Sequence, residues 1–294
     1  MKIIVPATSA NLGPGFDCLG LSLKLFNEVE ILPSKELIIK IKGEGETNKN
    51  LYTSNNAFVQ IFYQKFFELS KEKNPPFSFH FTNKIPLSRG LGSSSAVIVS
   101  ALACAYKLAK IKISKEEILN EALNYENHPD NIAPCTLGGF VCSIVENKQV
   151  LSIKKKIDDN LKALVVVPKS EFSTKESRNT LAKNVSFKTA VFNLTHASFL
   201  TACFLEKKYE LLHLASKDKL HQLRRMKALP ELFNVQKLAL ENNALMSVLS
   251  GSGSSFFSLY FKDDIMQAMR KMQEKFSNCK ALILEFDNNG FEFC

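Results

Sequence analysis

Two strings rich in glycine and serine carry the residue types best suited to chemistry. One is Arg89-Gly90-Leu91-Gly92-Ser93-Ser94-Ser95, which runs directly into the small, apolar stretch from Ala96 to Cys104; the other is Ser250-Gly251-Ser252-Gly253-Ser254-Ser255. Two glycines let a backbone turn tightly and approach a ligand. A helix that follows offers unpaired N–H groups and the positive end of its dipole to an anion. That is the architecture of a phosphate site, although a bare G-x-G-S-S string is more often a serine-capped turn. No Walker A loop and no dinucleotide fingerprint occurs anywhere in the chain. Ser93 to Ser95 lack the G-x-S-x-G elbow of a hydrolase nucleophile. His80, His196, His213 and His221 have no partners at metal-ligand spacing. His128, followed by Pro129, reads by itself as a turn or a structural histidine.

The elements that must position these strings follow from periodicity. Alternating apolar residues predict strands at Ile3 to Pro6, Leu21 to Leu25, Val29 to Ile31 and Leu37 to Ile41. Phe58, Ile61, Phe62, Phe66 and Leu69 fall at helical spacing, and Pro75-Pro76 bars continuation of that helix. A strand from Phe77 to Phe81 leads into Pro86 and the glycine loop. Ser114 with Glu117 is a capping box for a helix reaching about Tyr125. Further strands are predicted at Phe140 to Val145, Leu164 to Pro168, Ser247 to Leu249, Phe256 to Phe261 and near Ala281 to Phe286. Helices are predicted from Thr174, Lys188, Glu210, Glu231 and Asp264. Helices and strands mix throughout, without repeats or low-complexity tracts.

Composition sets the class. The 294 residues are 45% hydrophobic and 23% charged, ordinary globular usage with enough chain for one large domain or two joined lobes. Lys plus Arg is 38 against 29 Asp plus Glu, a net charge of +9. That suits an anionic ligand, but the lysines are scattered, as on a solvated surface. The 23 phenylalanines read as core packing, with Phe62, Phe66 and Phe67 on helical faces rather than interleaved with basic residues on one exposed strand, so no nucleic-acid partner is expected. Seven cysteines without a C-x-x-C point to a reduced, cytoplasmic protein. No signal peptide and no apolar run approaching ~18 residues is present, so no membrane partner is expected.

Joined in order, these pieces resemble a known family. The string from Pro86, Leu87 and Ser88 through Gly90-Leu91-Gly92-Ser93-Ser94-Ser95 to Ala96 is similar to the P-x-x-x-G-L-G-S-S-A signature of the GHMP small-molecule kinases. Pro6-Ala7-Thr8-Ser9-Ala10-Asn11-Leu12-Gly13-Pro14-Gly15-Phe16-Asp17 looks like the N-terminal motif of that family's homoserine-phosphorylating branch. Leu249 to Ser255 is similar to the C-terminal glycine motif. Glu126-Asn127-His128-Pro129-Asp130-Asn131-Ile132-Ala133-Pro134 matches the branch's E-G-H-P-D-N-V-A-P, with Asn127 for the usual glycine. Ser173-Thr174-x-x-x-Arg178 and Asp218-Lys219-Leu220-His221-Gln222-Leu223-Arg224-Arg225 resemble its substrate-binding stretches, the latter departing at Lys219, Leu223 and Arg224.

The resemblance implies an α+β GHMP kinase fold: an N-terminal half like ribosomal protein S5 domain 2 and a ferredoxin-like C-terminal half. Residues 1–150 would form the ATP-binding domain and residues 151–294 the second domain. It implies phosphorylation of L-homoserine by ATP with Mg²⁺, with another GHMP alcohol kinase or a non-catalytic binding protein on the same fold as alternatives. Residues Pro86 to Ala96 would bind ATP. Glu126 and Ser94 (or Ser93) would hold Mg²⁺, with Glu121 a rival to Glu126. Asn11, Asp17, His128, Asn131, Thr174, Arg178 and Arg225 would bind substrate. Asp17 would pair the α-ammonium, general base being its rival role, and the two arginines would grip the carboxylate. Asn131 would hold the attacking hydroxyl, making Glu126, Asn131 and Ser94 the catalytic set. A homodimer is a possible assembly.

Overall fold

A computed structural model describes residues 1–71, 75–170 and 174–294, the side chains of residues 174–176 excepted. The chain opens with β1 (Lys2–Ala10), β2 (Leu19–Pro33) and β3 (Ile38–Gly43), then α1 (Ala57–Ser70), β4 (Phe77–Asn83), α2 (Ser93–Leu108), α3 (Lys115–Ala122), α4 (Pro129–Leu137), β5 (Phe140–Glu146) and β6 (Gln149–Lys155). The remaining elements are β7 (Leu161–Val167), α5 (Thr174–Asn179), α6 (Phe187–Leu205), α7 (Leu212–Ala215), α8 (Gln222–Met226), α9 (Glu231–Leu240), β8 (Met246–Leu249), β9 (Phe256–Phe261), α10 (Ile265–Lys275), β10 (Lys280–Leu284) and β11 (Glu292–Phe293). The architecture is α+β, with two sheets.

The first sheet runs β11-β1-β2-β4-β3, with β5 paired to β2 and β6 to β5. The two strands expected at 21–25 and 29–31 are one continuous β2, because β1 pairs along its length, with a register shift at Pro6/Ala7. The near end of β2 also pairs with β5 (Leu19↔Cys142) and the far end with β4 (Val29↔Phe81). α1 begins at the Asn56 cap, whose side chain accepts from Phe58 N and Val59 N. Phe58, Phe62 and Phe66 then line up one turn apart and pack against Phe77, Phe79 and Phe81 of β4 with ring centroids 5.2–6.2 Å apart. The Ser114–Glu117 capping box is formed as its spacing predicts.

The second sheet is fully antiparallel, in the order β10-β7-β9-β8. Helices separate β7 from β8 and β9 from β10, which is the β-α-β-β-α-β connectivity of a ferredoxin-like half. Strand alternation decides what each face covers. Ala163, Val165 and Val167 enter the core shared with the first sheet, while Leu164 and Val166 enter a second core with Val235 of α9 and Ala268 of α10. The helix expected from Glu210 breaks into a 3₁₀ turn, Tyr209–Leu211, and the short α7 and α8. Around Pro129–Leu137, where no helix was anticipated, α4 forms: Pro129 sits at its start, where no N–H is needed, and Pro134 is tolerated inside it. Three connections meet where the two halves adjoin: the β1–β2 loop, the β4–α2 loop and the β8–β9 turn.

Candidate active site

Gly90 and Gly92 adopt φ of +71°, the left-handed region that a side chain opposes. Gly92 ends the loop and caps α2 without a side-chain bond, and the first amide of that helix to find an internal acceptor is Ala96 N, to Gly92 O at 2.9 Å. The amides of Ser93, Ser94 and Ser95 are therefore the free N–H groups of a 16-residue helix. Both glycines are also required by packing. A Cβ on Gly92 would lie 2.0 Å from Thr8 Oγ1, and one on Gly90 would lie 2.1 Å from Ser250 O. A larger residue at 92 thus displaces β1 as well as any phosphate, so loop function and local fold are not separable there.

The β8–β9 turn buttresses this loop. Ser255 N donates to Arg89 O, Gly251 N donates to Ala10 O, and the Ser250 hydroxyl donates to Gly90 O at 2.7 Å. Arg89 is spent in the same way, its guanidinium donating to the carbonyls of Leu87, Pro168 and Lys169. Asn11 is half spent: its amide donates to Gly251 O, and its oxygen accepts from Asp17 N.

A cavity of about 370 Å³ opens between these loops, α4, α5 and α8. It is lined by Leu87 through Ser95, and by Asn11, Asp17, Glu126, His128, Asp130, Asn131, Arg178 and Arg225. Of the anticipated site residues, Pro86 and Ala96 do not line it, and Ala96 is part of the core. The side chain of Thr174 and the whole of Ser173 lie outside the described residues. Glu121 is also absent from the lining and pairs with Lys65 at 2.7 Å.

On one side of the cavity Arg178 clamps Asp17 with two bonds, of 2.7 and 3.2 Å. Arg225 is 4% exposed and donates to Gly251 O and to His221 Nδ1, while its exposed neighbour Arg224 turns to solvent. Burial, then the adjacent Arg178, lowers the Arg225 pKa to about 10, which leaves it charged at neutral pH. Both guanidiniums rest against the Phe16 ring, 5.3 and 5.4 Å from its centroid. The Nε of each is shielded from water and has no acceptor among the described residues. The pair is rich in donors and short of acceptors.

On the other side Glu126 Oε1 meets His128 Nδ1 at 2.7 Å, and that bond raises the His128 pKa. His128 Nε2 faces Asp17 Oδ2 at 3.8 Å. Thr8 donates to Asn131 Oδ1 at 2.7 Å, and the Asn131 amide nitrogen lies 3.5 Å from Oδ1 of Asp130, which lines the same cavity. Asn131 therefore presents a donor there.

Residues that stood in the matched motifs without a role of their own complete the arrangement. Asp130, 5% exposed in the first turn of α4, lines the cavity with its pKa pushed up to about 7 by burial and then by Asp17. His221 donates from Nε2 to Gly13 O at 2.8 Å, so its Nδ1 is an acceptor that orients Arg225, and burial lowers its pKa. Asp218 caps the turn before α8, accepting from the amides of Leu220, His221 and Gln222. Ser177 ties α5 to the β8–β9 turn through Ser252 O.

Comparison with known proteins places this geometry. Residues 57–139 match the family described as GHMP kinases N terminal domain, and residues 201–278 match GHMP kinases C terminal. A homoserine kinase of Campylobacter jejuni is 66% identical over 294 residues, and one of Campylobacter lari is 60% identical over 294, with 100% of both chains covered in each case. The crystal structure of homoserine kinase from Cytophaga hutchinsonii superposes with a TM-score of 0.87 at 27% identity, over 99% of this chain and 96% of that one.

Proposed function

The chain belongs to the homoserine kinases of the GHMP family, and from that we propose that it transfers the γ-phosphoryl group of ATP to the side-chain hydroxyl of L-homoserine in the cavity between its halves. The observation that carries the choice of acceptor is the Arg178–Arg225 pair, with its unpaired donors beside Asp17. An amino-acid zwitterion supplies what that arrangement lacks. Its carboxylate brings planar acceptors to the two guanidiniums, and its ammonium brings a cation to Asp17. A sugar or an isoprenoid acid offers no such pair of charges.

ATP phosphates would lie on the Gly90–Ser95 loop, against the free amides and positive dipole end of α2. Glu126 and a hydroxyl of Ser93 or Ser94 would hold Mg²⁺. The donor set fits, since all are hard oxygens lining one cavity, and Glu126 Oε2 has no partner among the described residues. The cation, when bound, neutralises charge on the nucleotide phosphates. Asn131 would steady the attacking hydroxyl through its amide nitrogen. Because that nitrogen is a donor, Asn131 cannot take the hydroxyl proton, and its part is to position the hydroxyl while other groups neutralise charge.

The same proposal includes a cytoplasmic location and a homodimer. Phe187 and Leu194 of α6, 86% and 67% exposed, are apolar surface that a second copy could cover. Coupled ADP release against homoserine, mevalonate, galactose and shikimate tests the acceptor. Homoserine should give by far the highest kcat/KM; a higher value for any of the others would overturn the reading.

A further inference from the structure

Cys18 and Cys142 hold their sulfurs in contact, 3.7 Å apart, and both are half-buried. Cys18 directly follows Asp17 in the β1–β2 loop, and Cys142 lies in β5. Ser143 N donates to Cys18 O at 3.0 Å, and Leu19 is the ladder partner of Cys142, so Cys18 sits one position before the ladder, diagonal to Cys142, with the two sulfurs in contact. We propose that this dithiol is a modification site: a peroxide converts it to a reversible Cys18–Cys142 disulfide, and closure of that bond weakens homoserine binding through Asp17.

The chemistry balances. One thiolate attacks a peroxide oxygen, the O–O bond breaks, and a sulfenic acid forms with release of water. The second thiol then attacks that sulfur, forming the S–S bond and releasing a second water; both sulfurs are oxidised and the peroxide is reduced. The shared hydrogen bond prepares the first step, holding Cys142 down to about 7 while Cys18 is raised. The fully buried Cys104 and Cys135 have thiols pushed up by burial and no such partner, so they are poor competitors.

The effect on the site follows from which side can move. A disulfide needs about 2.05 Å between sulfurs, so the pair must close by about 1.6 Å. Cys142 is fixed, because β5 is hydrogen-bonded to β2 on one side and β6 on the other. Cys18 is in a loop, where Asp17 already sits at φ +57° with its amide bonded to Asn11 Oδ1 at 3.0 Å. The movement is therefore taken up by the loop that presents Asp17 to Arg178. The glycine loop belongs to a different connection and keeps its geometry. This second half of the proposal rests on Asp17 serving the homoserine site.

The test treats the full-length enzyme with hydrogen peroxide, maps peptides without reduction, and measures both Michaelis constants before and after dithiothreitol. The expected result is a crosslinked peptide joining Cys18 to Cys142, a homoserine KM raised about threefold or more, an ATP KM changed by less than about 1.5-fold, and full reversal by the reductant. Cys142→Ser should lose the crosslink and the shift in KM together while keeping the basal activity. Absence of that peptide at a peroxide dose that oxidises the exposed Cys294 would overturn the proposal. So would a crosslink that leaves homoserine KM unchanged, or one that raises both constants equally. Because the peptide map is independent of turnover, failure of the homoserine assignment would appear separately, as an inactive reduced enzyme.

Discussion

Arg178→Met removes a guanidinium whose described side-chain hydrogen bonds go to Asp17 alone, and Met can still rest on the Phe16 ring, so the substitution probes the substrate contact with little damage to the fold. Losing one charge-assisted partner of a desolvated carboxylate costs roughly 2–5 kcal/mol. Arg178 and Asp17 are 31% and 29% exposed, so solvent screening places the loss near the lower end. About 2 kcal/mol corresponds to a loss of about 30-fold in kcat/KM for homoserine. The assay compares homoserine with 3-aminopropanol, which keeps the hydroxyl and ammonium but lacks the carboxylate. The variant should lose about threefold or less with the amine, because Asp17 is freed from its ion pair, and ATP KM should move less than about twofold. Arg225→Met should lose more, being almost fully buried, but it also leaves His221 Nδ1 without its donor and Gly251 O with Asn11 alone, so its melting temperature should fall. Equal losses for homoserine and 3-aminopropanol in Arg178→Met would refute the carboxylate clamp.

Glu126→Gln should lower kcat by ~10²-fold or more, and excess chelator should abolish turnover of the wild type; undiminished kcat in the variant would remove Glu126 from the Mg²⁺ site. Gly92→Val must strain a φ of +71° and push against Thr8 Oγ1, so ATP affinity and melting temperature should fall together, and a wild-type ATP KM would contradict the loop's role. Asp130 has its folded pKa raised above that of the unfolded chain, so the folded state holds a proton that the unfolded state has released. Its contribution therefore becomes increasingly unfavourable as pH rises from about 4 to about 7. Asp130→Asn should then gain stability relative to the wild type at pH 8 by up to about 4 kcal/mol, and much less near pH 4. Denaturant melts at both pH values check this, and a pH-independent difference would place the carboxyl in a less desolvated setting.

The glycine loop, the strands around it and the capping box at Ser114 were legible in the sequence because each is written in neighbouring residues. α4 was not, since Pro129 and Pro134 read as breakers unless the first is known to occupy the opening turn. Asp130 stood in a matched motif without a role, because sequence does not say whether an acid in a helix's first turn faces solvent or a cavity. Arg225 was chosen over Arg224 on motif register alone, and the orientation of α8 supplies the physical reason by placing Arg225 inside and Arg224 outside. The supports were hidden most completely. Thr8 reaches Asn131 across 123 positions, His221 reaches Gly13 across 208, and Ser250 reaches Gly90 across 160. Nothing local in the chain records such pairings. The Cys18–Cys142 approach is of the same kind, since wide spacing in the chain suggested no relation between them.

Following the reaction of ATP with L-homoserine by ³¹P NMR tests the central claim most directly. A phosphomonoester resonance coupled to a methylene group should grow in equal amount with ADP, only while Mg²⁺ is present, and with no parallel build-up of inorganic phosphate. ADP accompanied by inorganic phosphate alone, or no ADP above the rate without homoserine, would contradict the account.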